Sequence, residues 1–137
     1  MPFERVTRFL NEFVAWALTQ PDIRAVALVG SHARNAATET SDVDLVLLVR
    51  QPGTFLHNTD WTGRFGTIQR QQMEDYGLVT SIRVWYTGGL EVEYGLTDER
   101  WVATPLDEGT RRVISDGMQI LFEREPLLSP HQPGSSG

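Results

Sequence analysis

No cysteine occurs among the 137 residues of the chain, and this excludes both a disulfide framework and thiolate chemistry. The chain also lacks an apolar run long enough to span a membrane. Its first twenty residues mix charged and apolar side chains, so they do not form the basic segment followed by an apolar segment that marks a signal peptide. We therefore expect a cytoplasmic protein that does not cross a membrane.

Runs of lysine or arginine are missing as well, and the formal net charge is −6 at pH 7. Proteins that bind nucleic acids neutralise phosphates with basic patches, and an acidic chain is poorly suited to this task. We therefore expect RNA and DNA to be poor partners. The simplest interpretation of Arg83, as of Arg111 and Arg112, is a surface charge, with contact to a phosphate as the alternative for one of them.

The composition is that of a globular protein, with 40% hydrophobic and 22% charged residues. A chain of this length is expected to form one domain with a core of its own. The last segment, PLLSPHQPGSSG, is rich in proline, glycine and serine, a composition that disfavours a packed core. We predict a single domain over residues 1–125 and a flexible tail over residues 126–137.

The order of predicted elements indicates the fold class. Apolar residues at spacings of three and four predict a helix over 3–18, and two short β-rich runs predict strands over 23–30 and 43–49. Residues 61–76 suggest a weak helix, and the runs 77–87 and 90–97 form a hairpin around two glycines. One or two short helices and a last strand over 118–123 complete the chain. We predict an α/β (α+β) fold with a mixed central sheet and helices mainly on one side.

Two aspartates at the start of a buried strand are the most informative feature. Asp42 and Asp44 are two positions apart, so their side chains point to the same face of the strand. Alone, each could be an exposed carboxylate at the start of a strand. As a pair they repel each other and favour a cation between them. Oxygen ligands suit Mg²⁺ or Mn²⁺, and Mg²⁺ commonly completes its shell with substrate phosphates. The pair therefore indicates a nucleotide site.

The turn after the preceding strand could supply contacts to phosphate. Gly30 has no Cβ, so its backbone can approach a phosphate closely, and the Ser31 hydroxyl can donate a hydrogen bond. Arg34 lies one helical turn further along the chain. It either binds the same anion or is a solvent-exposed surface arginine.

The segment GSHARNAATETSDVDL, residues 30–45, resembles the signature of the polymerase-β-type nucleotidyltransferase superfamily. It is most similar to the form seen in minimal nucleotidyltransferases and aminoglycoside nucleotidyltransferases. At Asn35 the family prefers glycine, and asparagine tolerates the left-handed conformation better than most residues. The residues on the pattern are Gly30, Ser31, Ala33, Arg34, Ser41, Asp42, Asp44 and Leu45.

This resemblance implies a nucleotidyltransferase fold and reaction. A nucleoside monophosphate would pass from an NTP, with ATP expected, to an acceptor hydroxyl, and pyrophosphate would leave. Mg²⁺ or Mn²⁺ would be held by Asp42, Asp44 and a third carboxylate from a later strand. The resemblance assigns nucleotide binding to Gly30, Ser31, Arg34 and Ser41.

Glu91 and Glu93 are the candidates for the third carboxylate, and alternation alone cannot separate them because they share a face. If Gly88 and Gly89 form a two-residue loop, Glu93 lies opposite Val84, and Glu91 lies beside the exposed turn. A carboxylate inside the strand is costly unless a cation compensates it. The family's third acid also lies within a strand. We therefore predict Glu93, with Glu91 as the alternative.

Three functions remain open. The first is an active transferase acting on a small-molecule or protein hydroxyl. The second is a regulatory, antitoxin-like module that acts through protein–protein contact, and the third is a silent nucleotide-binding domain. The intact aspartate pair favours activity. Larger family members carry a helical domain that binds the acceptor, and we expect this shorter chain to use its own surface, a homodimer or a separate partner protein.

Overall fold

Six strands form one sheet in the computed structural model, which describes residues 3–38 and 40–132. Their order across the sheet is β3-β4-β5-β2-β1-β6. Only β2 and β5 pair in parallel, and the other neighbouring pairs among the described residues are antiparallel. The predicted mixed sheet is therefore confirmed. The strands are β1 (Ile23–Val29), β2 (Val43–Val49), β3 (Ile68–Asp75), β4 (Thr80–Tyr86), β5 (Glu91–Thr97) and β6 (Met118–Glu123).

Four α-helices and three short 3-10 helices accompany the sheet in the part of the chain that is described. No described helix has the length and apolar character needed to cross a membrane. The α-helices are α1 (Glu4–Leu18), α2 (Gly30–Ala33), α3 (Pro52–His57) and α4 (Glu108–Asp116). The 3-10 helices are Asp60–Phe65, Glu99–Val102 and Ser129–His131.

One face of the sheet is covered by α1 and α3 and is rich in aromatic rings. The apolar stripe of α1 buries Phe9, Phe13 and Ala17 against this face. The ring of Phe13 lies 5.7 Å from that of Tyr94 in β5, measured between centroids. Trp61 packs edge-on against Tyr94 at 4.9 Å. We call this surface, with its core of α1 and β5 rings, the aromatic face.

The opposite face carries several acidic side chains, among them Asp44 of β2 and Glu93 of β5, and we call it the carboxylate face. Along each strand the side chains alternate between the two faces. On the part formed by β1, β2 and β6, apolar residues such as Val46 pack against Trp101 and Ile114. The helices that follow β5 cover this part, and the acidic residues lie beside it. Helical cover is thus more extensive on the aromatic face, as the sequence predicts.

The predicted helix over 61–76 is wrong. Residues 60–65 form a 3-10 helix, and residues 68–75 form β3, an edge strand. Nearly every side chain of β3 is exposed on both faces, so its sequence IQRQQMED has no apolar alternation. It also contains glutamine, arginine and methionine, which favour helices. Pairing with β4 fixes this segment as a strand, and that pairing is not visible in the local sequence.

The hairpin between β4 and β5 has a longer loop than the two residues predicted. The Tyr86 N–H donates to the Leu90 carbonyl at 2.8 Å, which leaves residues 87–89 as the loop. Gly88 and Gly89 have φ values of 92° and 102°, a conformation that favours glycine.

The extra loop residue shifts the register by one position. Glu93 lies opposite Arg83 instead of Val84, and Glu91 is shifted in the same way. The predicted pairing is therefore wrong. Glu93 nevertheless stays on the carboxylate face, because the shift changes its partner in β4 and not its own orientation.

The first residues of the predicted tail contact the domain. Leu128 is fully buried. The backbone N–H groups of Leu128 and Ser129 donate to Oε2 of Glu123 at 2.8 and 3.2 Å. Residues 133–137 lie outside the described residues, and the domain boundary at residue 125 stays a prediction.

Candidate active site

Three carboxylates, from β2, from β5 and from the loop before β2, meet on the carboxylate face. Asp44 in β2 is the register partner of Glu93 in the parallel strand β5, and Asp42 precedes Asp44 by two positions. One oxygen atom from each of the three residues lies within 4.8 Å of the other two. All three side chains are half-buried. The structure therefore brings together the three acids that the sequence assigns to a metal site.

The turn after β1 leaves room for this cluster. Gly30 has a φ of +75°, and a Cβ at this position would overlap Oδ2 of Asp44. The glycine assigned to phosphate approach thus also makes space for the second aspartate. Asn35, which follows α2, has a φ of 57°, the left-handed conformation expected at the position where related sequences prefer glycine.

Asp44 occupies an unfavourable environment for a negative charge. Its Oδ1 atom is buried and has no hydrogen-bond partner among the described residues. Burial, followed by the proximity of Asp42 and Glu93, raises the pKa of Asp44 to about 8. A buried carboxyl oxygen without a partner is costly unless a ligand satisfies it. A cation at this position would satisfy the oxygen and favour the ionised carboxylate.

A pocket of about 310 Å³ adjoins the cluster. Asp44 and Glu93 lie in its wall, while Trp101 contributes apolar surface. Arg34 also lines the pocket, and no carboxylate within residues 3–38 and 40–132 pairs with it. The volume is near the lower end of the range for small-molecule pockets, about 300–1,000 Å³. The pocket therefore joins acidic, basic and apolar groups in one concave surface.

Arg83 of β4 lies within the acidic cluster and contacts four carboxylates. Its Nε donates to Glu74 at 2.7 Å, and its Nη1 donates to Glu91 at 2.8 Å. Longer contacts join Nη1 to Asp42 at 3.1 Å and Nη2 to Glu93 at 3.3 Å. The hydrogen bond to Glu74 first, then that to Glu91 and the charge of Glu93, raise the pKa of the Arg83 guanidinium above its usual range. A guanidinium that stays protonated therefore contacts two of the three clustered acids, Asp42 and Glu93.

Comparison with models of protein families shows the family to which the chain belongs. A model of the streptomycin adenylyltransferases matches residues 4–87, which is more than half of the chain and includes the glycine turn and both aspartates. The chain belongs to the streptomycin adenylyltransferase family. This streptomycin adenylyltransferase match confirms the resemblance to polymerase-β-type nucleotidyltransferases. Glu93 lies beyond the matched residues.

Solved structures share the fold of this streptomycin adenylyltransferase family member. An aminoglycoside 6-adenyltransferase from Bacillus subtilis has a TM-score of 0.55 and 18% identity, covering 77% of this chain and 36% of that one. Cid1 in complex with its short product ApU has a TM-score of 0.51 and 14% identity, covering 69% and 30%. The chain thus spans about a third of the length of these proteins. No curated protein matches it.

The acidic cluster of this family member fits a divalent metal ion. Its ligand atoms are carboxylate oxygens, which suit Mg²⁺ and Mn²⁺. Their mutual distances, within 4.8 Å, allow one ion to contact all three residues. The buried Asp44 oxygen without a partner is an independent indication that a group is missing there. Asp42, Asp44 and Glu93 are the residues that would hold the ion.

Of the four residues predicted to bind nucleotide, two line the pocket and two do not. Gly30 and Arg34 line the pocket, together with two of the acids. Ser31 is half-buried next to Gly30 and is not among the lining residues. The Ser41 hydroxyl accepts a hydrogen bond from the Thr38 N–H at 2.9 Å, which closes the loop before β2. Nucleotide binding by these residues stays a prediction.

Sequence reasoning missed the role of Arg83 in the cluster. Alternation along β4 places Ser81, Arg83 and Trp85 on one face, which is a signal available from the sequence. The register that sets Arg83 opposite Glu93 depends on the three-residue loop. Its other partner, Glu74, lies in the segment that was predicted as a helix, so this pair could not be anticipated.

Proposed function

We propose that this protein is a metal-dependent nucleotidyltransferase that moves a nucleoside monophosphate from an NTP, with ATP expected, to an acceptor hydroxyl. The observation that carries the proposal is the meeting of Asp42, Asp44 and Glu93 oxygens within 4.8 Å of one another. The family match over residues 4–87 supports it.

The roles follow from the chemistry of each group. Asp42, Asp44 and Glu93 would hold Mg²⁺ or Mn²⁺, which would neutralise the negative charge that builds up on the phosphates. Arg34 binds a phosphate oxygen through its charged donors. Gly30 allows the backbone to approach the nucleotide, and the Ser31 hydroxyl donates a further hydrogen bond.

The transfer is an in-line displacement. The acceptor oxygen attacks the α-phosphorus and forms a new P–O bond, while the bond between the α-phosphorus and the bridging oxygen breaks. Pyrophosphate leaves with that electron pair. Glu93, whose carboxylate lines the pocket, accepts the proton of the acceptor hydroxyl and releases it to solvent.

We propose a small cationic molecule with hydroxyl groups as the acceptor, a class that includes aminoglycosides. Glu74 and Glu91 extend the acidic surface beyond the metal cluster, and such a surface attracts cations. The net charge of −6 makes RNA and DNA unsuitable acceptors. The names of the family and of the Bacillus subtilis neighbour agree with this choice.

A regulatory nucleotide-binding module is the second candidate, and one observation favours it. Arg83 contacts Asp42 and Glu93, and a permanent contact of this kind would leave these acids occupied. Such a module would act through a partner protein and would not transfer nucleotide. Labelling experiments separate the two functions, because only the transferase produces pyrophosphate from NTP in the presence of an acceptor.

The test is incubation with each α-labelled NTP and Mg²⁺, with a panel of aminoglycosides and other hydroxylated amines. We expect a labelled acceptor and pyrophosphate with the wild-type chain, and neither with the Asp44→Asn variant. A labelled protein in a cell extract would identify a protein acceptor instead. Nucleotide binding without any labelled product across the panel and the extract would favour the regulatory module.

The third carboxylate can be assigned in the same assay. We expect Glu93→Gln to abolish transfer, because it removes a member of the cluster, and Glu91→Gln to retain it. Both substitutions remove one charge and one contact to Arg83, so they control for each other. Loss of transfer in Glu91→Gln alone would reverse the assignment.

A further inference from the structure

We infer that Arg83 is an exchangeable internal counter-ion of the metal cluster. In the metal-free protein its guanidinium contacts Asp42 and Glu93. When the divalent cation binds these two acids, the guanidinium gives them up and stays bound to Glu74 and Glu91. This inference rests on the proposed function and describes how the same site is loaded.

The first argument is competition for the same side chains. Arg83 contacts Oδ2 of Asp42 at 3.1 Å and Oε2 of Glu93 at 3.3 Å. Both residues belong to the three-carboxylate cluster. A divalent ion bound to the same carboxylates would lie close to the guanidinium, and two positive charges at such a distance repel each other. The metal and the present position of Arg83 therefore oppose each other.

The second argument is that the guanidinium has other partners nearby. Its contacts to Glu74 and Glu91 are the shorter ones, at 2.7 and 2.8 Å. Neither of these acids belongs to the three-carboxylate cluster. A guanidinium has five N–H donors in a fixed fork, so it can release one side of its contacts and retain the other. The exchange needs only a small movement and does not expose Arg83 to solvent without a partner.

The third argument concerns the metal-free protein. Without Arg83, the five acids Asp42, Asp44, Glu74, Glu91 and Glu93 would lie together with no positive partner among the described residues. Arg83 relieves this repulsion until a cation arrives. The metal must then compete with Arg83, so it binds weakly alone and more tightly with an NTP, whose phosphates supply further ligands.

The test is a titration of chelator-treated protein with Mn²⁺ in the absence of nucleotide. The concentration of free Mn²⁺ is measured by electron paramagnetic resonance at each step. We expect Arg83→Gln to bind Mn²⁺ at least about tenfold more tightly than the wild type, because a repelling positive charge is removed. The control is Arg70→Gln. Arg70 lies 4.7 Å from the Trp85 ring centroid and contacts no cluster acid, and we expect it to change the affinity less than about twofold.

The outcomes separate the two proposals. Equal or weaker Mn²⁺ binding by Arg83→Gln, with binding by the wild type, overturns the exchange and leaves the proposed metal site standing. Absence of binding in both chains overturns the metal site and the exchange together. Tighter binding in Arg83→Gln and unchanged binding in Arg70→Gln support the exchange.

A measurement on the wild type covers the case in which Arg83→Gln fails to fold. The Nε–H signals of the arginine side chains are recorded by NMR, and that of Arg83 is assigned by its loss in Arg83→Lys. We expect Mg²⁺ to shift the Arg83 signal and to leave the Arg70 signal unchanged. An Arg83 signal that does not respond at saturating Mg²⁺ overturns the exchange.

Discussion

The same strands contribute side chains to both faces of the sheet, and the two faces affect stability in opposite ways. In β5, Tyr94 is fully buried among rings on the aromatic face, while the preceding residue, Glu93, faces the acidic cluster on the other side. The aromatic face gains stability from burial and ring contacts. The carboxylate face loses stability by gathering like charges. Burial and ring contacts on the aromatic face therefore offset the repulsion between the acids on the carboxylate face.

Polar groups are treated differently on the two faces. On the aromatic face the hydroxyls of Tyr86 and Tyr94 lie 2.7 Å apart, and Tyr86 donates to the Thr62 carbonyl at 2.6 Å. On the carboxylate face Oδ1 of Asp44 is buried without a partner among the described residues. Buried polar groups are normally satisfied. The exception therefore lies where a ligand is expected, and the satisfied pair lies where only structure is needed.

The largest effect is expected from Asp44→Asn on the carboxylate face. Removal of a metal ligand should lower nucleotide transfer by about 10³-fold or more, equivalent to several kcal/mol of transition-state stabilisation. The fold should remain, because the aromatic face is unchanged. Initial rates and circular dichroism of the variant check both statements. Glu108→Gln is the matched control, since Glu108 is exposed on α4, and unaltered transfer in Asp44→Asn would contradict the metal site.

Phe13→Ala should destabilise the packing of the aromatic face. Phe13 is completely buried, and its ring lies 5.4 Å from Phe65 and 5.7 Å from Tyr94. Its removal should lower the free energy of unfolding by about 3–5 kcal/mol. Denaturant unfolding measures this loss. Leu18→Ala on the same helix, where Leu18 is 52% exposed, should change it by less than about 0.5 kcal/mol. Similar losses in the two variants would contradict the aromatic core.

The pH dependence of stability should come from the carboxylate face. The pKa of Asp44 is raised from 3.8 to about 8 by burial and by the neighbouring acids. Between these values the folded protein holds a proton that the unfolded chain has released, so rising pH favours unfolding. In metal-free protein we expect the free energy of unfolding to decrease from about pH 4 to about pH 8, by a few kcal/mol, and then to level off.

Urea unfolding at several pH values, in the presence of EDTA, checks this expectation. The Asp44→Asn chain should lack this part of the decrease, because it has no proton to release there. Parallel stability curves for the wild type and Asp44→Asn would show that Asp44 titrates normally.

The smallest effect is expected from Ser31→Ala at the glycine turn. Loss of one hydrogen bond to phosphate should weaken nucleotide binding by about 1 kcal/mol. Calorimetric titration with NTP and Mg²⁺ measures it. Thr7→Ala, at an exposed position of α1, removes a hydroxyl outside the turn and outside the pocket lining and should leave the affinity unchanged. Identical affinities in the two variants would remove Ser31 from the binding site.

The sequence predicts the elements whose apolar pattern matches their burial. The stripe of α1 and the apolar run of β2 are buried as expected, because one face of the helix and both faces of the strand meet the core. β3 could not be predicted in this way, since its side chains meet solvent on both faces. Its structure depends on backbone pairing with β4, the next strand along the chain, and not on an apolar pattern of its own.

The candidate active site, like the fold, is predictable from the sequence only in part. Asp42 and Asp44 are found from their spacing at the start of β2, since alternation is a local property. Glu93 was chosen partly by a hairpin register that is wrong, although it does lie beside Asp44. Arg83 was missed because its four acidic partners come from two different strands, β3 and β5, and from the loop before β2.

The parallel pairing of β2 with β5 is a seam between two antiparallel ribbons, one of β6, β1 and β2 and the other of β3, β4 and β5. The β3–β4 and β4–β5 pairs join chain neighbours, whereas the seam must close a long loop, which is slow during folding. Asp44 lies on one side of the seam and Glu93 on the other. The complete cluster therefore exists only after this long-range pairing has formed, and a chain that lacks the seam cannot hold the metal ion with all three acids.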